Sequence, residues 1–513
     1  MPRLERGRTT VVGSRQQGLP SVAGCAGRTG SWRNIQVLCQ PRIVIVGGGI
    51  SGLATAHYLH RRLGADVQLS LVEAGPRLGG KIATEQFGGH LVDVGPDALM
   101  VRAPVAAALI EDLGLSDLVV APAGSGARIW SRGALRRLPA GTLFGIPDRL
   151  LPLMKSRLLS PLGLARAALD VVLPTRAALP EDPTIAELVR PRMGGQVFDR
   201  LVDPLLGGVH AGRADELSAR STAPDIEALG RANRSLYLGL RRRRRNAPKP
   251  AGTGGAALVT LVGGLARLID ALADRVAGDD VRLGSAAVSV TRDENGTGYL
   301  VALEDGTVFP ADAVVLAIPA FVAAGMIAAE APDLAAALGG IPYVDVATIC
   351  LAYPHSAVAH DLDGTGFLVP PEEGRLIVGC TWSSVKWPHL ADENTVLIRC
   401  MVGRRRDQRW VGFDDDTLVS QVHAELVEAM GLTGRPTEQH IERWPQGMPQ
   451  YVVGHQARLA AAEEALGRLP GIRLTGSAYR GVGLASCVAD AERTADSIAQ
   501  VLSDARARSE ASA

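Results

Sequence analysis

Short-spaced cysteine and histidine motifs are absent from this 513-residue chain. Its six cysteines (Cys25, Cys39, Cys350, Cys380, Cys400 and Cys487) make no C-x-x-C pair, and its ten histidines make no H-x-H or H-E-x-x-H. Zinc and iron–sulfur centres are therefore not expected, and no metal ligand is assigned. With no short-loop disulfide framework, a reduced compartment, the cytoplasm, is the expected setting. Lysine is scarce, only Lys81, Lys155, Lys249 and Lys386 among 54 basic residues. That arginine bias reflects a GC-rich coding sequence more than a function. Long hydrophobic runs are missing too. One of the longest uncharged stretches, Ala313–Ala329, is interrupted by Pro319 and reads as strand, turn and helix, so no transmembrane helix is predicted.

An excess of charge of one sign is also missing: 54 basic residues face 53 acidic ones. Residues 1–42 hold seven arginines against Glu5, which leaves 47 basic and 52 acidic groups for the rest of the chain. A weakly acidic body argues against a nucleic-acid binder, whose footprint is basic. The arginine-rich first forty residues faintly echo a transit peptide. They lack the apolar core of a secretory signal and read as a disordered extension. The hydrophobic fraction of 47% is ample for buried cores, and the length suggests two to four domains at roughly 100–200 residues each.

Arg42-Ile-Val-Ile-Val46 has the length and apolar continuity of a strand buried on both faces. Gly47-Gly48-Gly49-Ile50-Ser51-Gly52 follows at once, then a helical pattern from Leu53 to Leu59. This is G-x-G-x-x-G in the context it requires, between a strand and a helix. Gly47 permits the tight turn, Gly49 lets backbone approach a pyrophosphate, and Gly52 allows close helix–strand packing. A phosphate would then meet the positive end of the helix dipole. A second strand, Val67–Val72, delivers Glu73 as a candidate acceptor for a ribose hydroxyl. After Glu73-Ala74 comes a second glycine turn, Arg77-Leu-Gly79-Gly80-Lys81, leading to Asp93-Val-Gly95-Pro96-Asp97-Ala98. A plain nicotinamide site has no need of that second turn, whereas a cofactor extending beyond the pyrophosphate does.

Further along, Val281–Val290 alternates as a half-buried strand, in which Val288 reads simply as a core valine. A hairpin is expected over Tyr299–Leu303 and Thr307–Phe309, and a buried strand ends at Pro319. Near the end, Ile472–Thr475 reads as strand, followed by Gly481-Val482-Gly483-Leu484 and a helix, a second glycine-bracketed helix N-terminus. Leu150–Leu173 could form amphipathic helices. Arg241–Arg245, followed by Pro- and Gly-rich residues to Gly255, reads as a flexible surface loop. Contact with anionic lipid, or guidance of a polycarboxylate, is the alternative for it.

The fingerprint E-A-x-x-R-x-G-G-K resembles the FAD-dependent amine-oxidase-like superfamily. Three further phrases resemble the protoporphyrinogen/coproporphyrinogen oxidase family of haem biosynthesis, of the Gram-positive or actinobacterial type. They are Leu201–Gly212 with Glu216-Leu-Ser218, Glu442–His455 and Ala478–Leu484, and the resemblance runs from about residue 42 to 500. It implies non-covalent FAD held by Gly47, Gly48, Gly49, Ile50, Ser51, Gly52, Glu73, Ala74, Lys81, Gly95, Pro96, Asp97, Ala98, Val288 (through its backbone), Trp444, Val482, Gly483 and Leu484. It also implies Arg102 as a partner for a substrate propionate, against the bland reading of a solvated arginine at a helix start. Monoamine oxidases differ, with a tyrosine in the last glycine motif and a cysteine that binds flavin, and neither occurs here at the matching place. No catalytic side chain is named, because the flavin carries the chemistry.

The implied reaction is oxygen-dependent oxidation of coproporphyrinogen III, with protoporphyrinogen IX as the alternative substrate. Polyamine oxidase, carotenoid desaturase or a non-catalytic FAD-binding assembly subunit are more distant readings. The expected fold is α/β. A Rossmann-like FAD-binding domain is expected from 42–104, 255–320 and 440–505, with a mixed-sheet substrate domain over 321–439. A mainly helical insertion is expected over 105–254, and residues 1–41 and 506–513 lie outside the domains. Peripheral membrane contact and the oligomeric state stay open.

Overall fold

Residues Ile43 to Val46 are apolar without interruption because both faces of their strand are covered. In the computed structural model, which describes residues 40–64, 66–124, 126–172, 179–246, 257–294 and 298–512, Arg42–Val46 lies at the centre of a five-stranded sheet. The order is Asp280–Arg282, Gln68–Val72, Arg42–Val46, Ala313–Leu316 and Ile472–Leu474, parallel throughout. Alternate side chains feed two cores. Ile43, Ile45, Leu69, Leu71 and Val315 pack against the helices Ile50–Leu63, Ala266–Arg275 and Leu484–Ser512. Val44, Val46, Val314, Leu316 and Ile472 pack on the other face against an antiparallel three-stranded sheet and the helices Ala320–Ile327, Pro332–Gly339 and His455–Leu466. Double coverage is what a parallel sheet needs, and it explains why no polar residue interrupts the strand. The strand expected to end at Pro319 is present as Ala313–Leu316, with Pro319 capping the next helix.

The three-stranded sheet contains the expected hairpin, Tyr299–Leu303 with Val308–Ala311. Its first strand corrects the sequence reading. Residues 281–290 are not one strand but two, Asp280–Arg282 in the parallel sheet and Ala287–Arg292 in the antiparallel one. Gly284, in the left-handed region at φ 61°, redirects the chain between them.

A second large sheet has seven strands, ordered Glu438–Pro449, Tyr343–Pro354, Thr395–Val402, Ile377–Trp382, Gly366–Leu368, Arg128–Trp130 and Leu135–Arg137. All neighbours are antiparallel except Gly366–Leu368 with Arg128–Trp130. It thus draws two strands from the stretch expected to be mainly helical and one from the stretch assigned to FAD. A small core containing Ala83, Phe87, Val92, Cys350, Trp387 and Leu397 joins this sheet to the Thr84–Phe87 and His90–Asp93 hairpin.

The helices between residues 150 and 246 pack around Leu188, Phe198, Leu201 and Ile226. The amphipathic pattern at 150–173 forms the helices Leu150–Ser156 and Pro161–Val172. Arg241–Arg245 departs from expectation. These residues are the last turns of a helix, Leu236–Asn246, with Arg243 paired to Asp225 at 3.0 Å and Arg244 bonded to the buried Asp148. Cations in a final helical turn face the negative end of its dipole, which favours the helix over a loop. The flank at 247–255 and the N-terminal extension up to residue 39 lie outside the described residues. No described helix is long and apolar enough to cross a membrane, and no group of three metal-ligating side chains occurs among the described residues.

Candidate cofactor site

The carboxyl ends of Arg42–Val46 and Gln68–Val72 present both glycine turns to one place. Gly47 takes φ 108°, and a Cβ on Gly52 would stand 1.9 Å from the Gly47 carbonyl oxygen, so neither position admits a side chain. Behind the turn the packing is closed; in front it is open. A Cβ on Gly49 would meet nothing within 4 Å. Gly49 is the N-cap of the helix Ile50–Leu63, with no side-chain cap and no acid in the first turn. The first backbone N–H groups are thus left for an anion, at the positive end of the dipole.

The second turn stacks on the first. Gly79 N donates to Gly48 O at 2.8 Å, and Gly49 pairs with Gly79 in a short parallel bridge. Glu73 ties the loops together, accepting from Gly48 N and from Gly75 N, each at 2.7 Å. Each carboxylate oxygen keeps a lone pair for a further donor. The segment before Val288 docks on the same loop, through Gly284 N to Gly75 O (2.8 Å) and Ser285 N to Glu73 O (3.0 Å). Val288 itself is 49% exposed rather than in the core, and it sits at a register shift between Ala287 and Ser289. The bulge turns an alternating position outward, which period-two counting cannot anticipate.

Lys81 reaches across to donate to Gly447 O, and burial lowers its pKa, with Cys487 nearby. Gly447 lies against the Cβ of Trp444, which is half-buried opposite Val346. Gly95 packs on the backbone of Lys81, where a Cβ would be 1.9 Å from the Lys81 carbonyl oxygen. Asp97, two residues on, accepts from Lys386 Nζ at 2.8 Å and from Trp387 Nε1 at 3.3 Å, with Arg399 Nη1 at 3.8 Å. Burial alone would raise the Asp97 pKa. The Lys386 and Arg399 charges overcome it and hold the carboxyl well below the usual carboxylate range. Arg399 also donates to Gly95 O. Lys386 and Arg399 are absent from the sequence-derived set. The scarcity of lysine was the one available signal for Lys386, and Arg399 had none among so many arginines.

The closing turn completes the arrangement. Gly481 is left-handed at φ 134°, a Cβ on Gly483 would meet nothing within 4 Å, and the helix Leu484–Ser512 follows. That helix packs along Ile50–Leu63, with Arg62 bonded to Glu492 (3.3 Å) and Asp496 (2.6 Å). The buried Cys487 thiol donates to Gly481 O at 3.9 Å, and burial pushes its pKa up to about 11. Val482 and Leu484 flank Gly483, half-buried.

Three phrases far apart in sequence interlock here. Gln450 Nε2 donates to His210 O at 2.8 Å, and Ser218 N donates to Tyr451 O at 2.8 Å. Tyr451 OH accepts from Gly481 N (2.8 Å) and donates to Ser477 O (2.6 Å), while its ring stacks on His455 at 4.0 Å. Arg102 is different. It lies exposed in the turn before the helix Pro104–Asp112 and makes no ion pair or hydrogen bond with a described residue.

The cradle fits a flavin dinucleotide on its own chemistry: two helix N-termini, two stacked glycine turns, an acid at the end of the second strand and a desolvated lysine. Comparison with known proteins supports a flavin cofactor. The description Flavin containing amine oxidoreductase matches residues 50–499. The coproporphyrinogen III oxidase of Bacillus subtilis is 34% identical over 87% of this chain and 95% of its own length. That of Propionibacterium freudenreichii is 36% identical over 89% and 90%. A solved structure from Exiguobacterium sp., provisionally assigned as a protoporphyrinogen oxidase, superposes with a TM-score of 0.79 at 33% identity, covering 90% of this chain and 99% of that one. This chain therefore belongs to the flavin containing amine oxidoreductase family.

Proposed function

We propose that this chain is an FAD-dependent oxidase that converts coproporphyrinogen III to coproporphyrin III with oxygen as acceptor. The observation that carries the reading is the similarity, across 87–89% of the chain, to two bacterial proteins named for that activity. The substrate loses six hydrogens in three two-electron rounds, and three oxygen molecules leave as three of hydrogen peroxide. FAD, held non-covalently, would supply the hydride acceptor and the route for electrons to oxygen.

The chain's own part is to bind, orient and exclude water. Gly47 to Gly52 hold the pyrophosphate by backbone donors and the helix dipole. Glu73 takes the ribose, and Ala74 with the Val288 backbone takes the adenine side. Lys81, Gly95 to Ala98, Trp444 and Val482 to Leu484 surround the flavin end. Lys81 and the Lys386–Asp97–Arg399 group fix charge where burial makes it count for most. Arg102, with no partner among the described residues, is free to take a propionate. No side chain is assigned a proton transfer.

A cytoplasmic enzyme fits this reading. The exposed Leu151, Met154, Leu162 and Val172 on the helices at 150–172 support peripheral contact with a membrane surface. Protoporphyrinogen IX is the second reading, supported by the Exiguobacterium structure. Purified flavin-loaded protein supplied separately with each porphyrinogen decides between them by porphyrin fluorescence and peroxide yield. Turnover of coproporphyrinogen III with matching peroxide is expected. Activity on neither, or flavin bleaching by amines alone, overturns the proposal.

A further inference from the structure

Beside the edge strand Ile472–Leu474, between the helices His455–Leu466 and Leu484–Ser512, lies a cleft of about 300 Å³. No residue of the glycine turns at 47–52, 73–81 or 481–484 lines it, so it is separate from the cofactor cradle. Its walls combine apolar side chains, Leu459, Leu466 and Leu474, with three arginines, Arg473, Arg480 and Arg493.

The charges do not balance. Arg480 pairs with Glu463 and, at 3.2 Å, with Asp490, and Arg493 also pairs with Asp490. Three guanidinium groups thus share two carboxylates. Arg473 is the one left over. Its Nε donates to Ser497 Oγ at 2.7 Å, and Nη1 donates to Pro470 O at 3.0 Å and Ile472 O at 2.7 Å. All these acceptors are neutral, and Nη2, with two N–H donors, bonds no described residue. Burial lowers the Arg473 pKa, and the like charge of Arg493 lowers it further. A half-buried cation without a counter-ion is costly, and an anion with the right shape relieves that cost.

We propose that this cleft binds a small amphipathic monoanion, with a carboxylate or phosphate head on Arg473 and Arg493 and an apolar body against Leu459, Leu466 and Leu474. The volume is at the low end for small-molecule sites, which suits a short acyl or alkyl chain and excludes a porphyrin macrocycle. Planar guanidinium donors select an oxyanion head over a neutral one.

Calorimetric titration of the flavin-loaded full chain with octanoate, octyl phosphate and the neutral n-octanol tests this. Saturable binding of one equivalent of either anion, and not of octanol, is the expected result. The preferred anion tells a carboxylate ligand from a phosphate one. Arg473→Gln should weaken binding roughly tenfold or more. Ser497→Phe, which fills the cleft while keeping all three arginines, should abolish it and serves if Arg473→Gln does not fold. Saturation by neither anion, equal binding of octanol, or parental affinity in either variant overturns the assignment.

Discussion

Gly49 and Gly52 lie on one turn, and alanine at each perturbs opposite sides of it. At position 52 the added methyl would stand 1.9 Å from Gly47 O and 3.3 Å from Ile45 Cγ2. Restoring ordinary contact near 3.5 Å forces the helix Ile50–Leu63 to retreat by roughly 1.5 Å. Overpacking of that kind costs about 1–3 kcal/mol with or without ligand. Position 49 has φ −74° and ψ 180°, extended backbone that alanine adopts freely, and open space where the methyl would go. There alanine should stabilise the flavin-free protein by about 0.4–1 kcal/mol through the unfolded chain. The same methyl occupies the space assigned to the pyrophosphate, so FAD affinity should fall by roughly tenfold or more. Protein stripped of flavin is unfolded in urea, then a parallel sample is reconstituted with FAD and followed by fluorescence quenching. Gly52→Ala should lower the flavin-free midpoint, whereas Gly49→Ala should leave it level or raise it while weakening FAD. Parental FAD affinity in Gly49→Ala would refute the reasoning that the open side of the cradle is where the cofactor lies.

Three other perturbations follow from the same geometry. Asp97→Asn leaves Lys386 and Arg399 buried without their shared carboxylate and should cost about 3–5 kcal/mol, read as a lower urea midpoint; a change under 1 kcal/mol would show that the cluster is solvated. Burial pushes the Asp93 pKa up to about 6, from 3.8, so Asp93 removes stability as pH rises through that window, by on the order of 3 kcal/mol in full. Burial pushes His455 down to about 4, from 6.5, so its contribution is lost as pH falls through nearly the same window. Asp93→Asn should therefore gain on the parent as pH rises from 4 to 6, and His455→Asn should gain as pH falls; profiles parallel to the parent would contradict both assignments. Arg102→Ala should raise the KM for coproporphyrinogen III by roughly three- to tenfold with kcat little changed, and an unchanged KM removes Arg102 from the substrate site.

The parallel core was legible because its signals are local. Ile43 to Val46, the glycines at 47, 49 and 52, and Glu73 follow one another within a single strand–helix–strand unit, and each residue type has a steric or electrostatic reason to be there. What was not legible depends on contacts between distant segments. The Ala287/Ser289 bulge turns Val288 outward, although alternation places it inside. The five arginines extend a helix because Asp225 and Asp148, distant in sequence, receive two of them. Arg399 enters the site through a strand of the second sheet, with no mark in the sequence to separate it from its neighbours.

The same distinction explains why the three long phrases carried more information than their residue types did. Taken singly, Gln450, Tyr451, His210 and Ser218 are polar residues beside glycines and prolines, with no chemistry of their own. In the fold one hydrogen bond ties each to a distant segment: Gln450 Nε2 to His210 O, Ser218 N to Tyr451 O, and Tyr451 OH to Gly481 N and Ser477 O. Buried polar groups must find partners, so these bonds constrain where the helical insertion, the long strand Glu438–Pro449 and the closing turn sit relative to one another. Gly481 cannot leave its left-handed conformation without releasing Tyr451 OH, and Tyr451 cannot shift without pulling on Ser218. The turn before the closing helix is thus held from the insertion and the second sheet as well as from its own strand. That arrangement gives a physical reason for a specific phrase whose residues have no chemistry of their own: it fixes the backbone turn at Gly481, from which the helix Leu484–Ser512 starts, against two other parts of the fold.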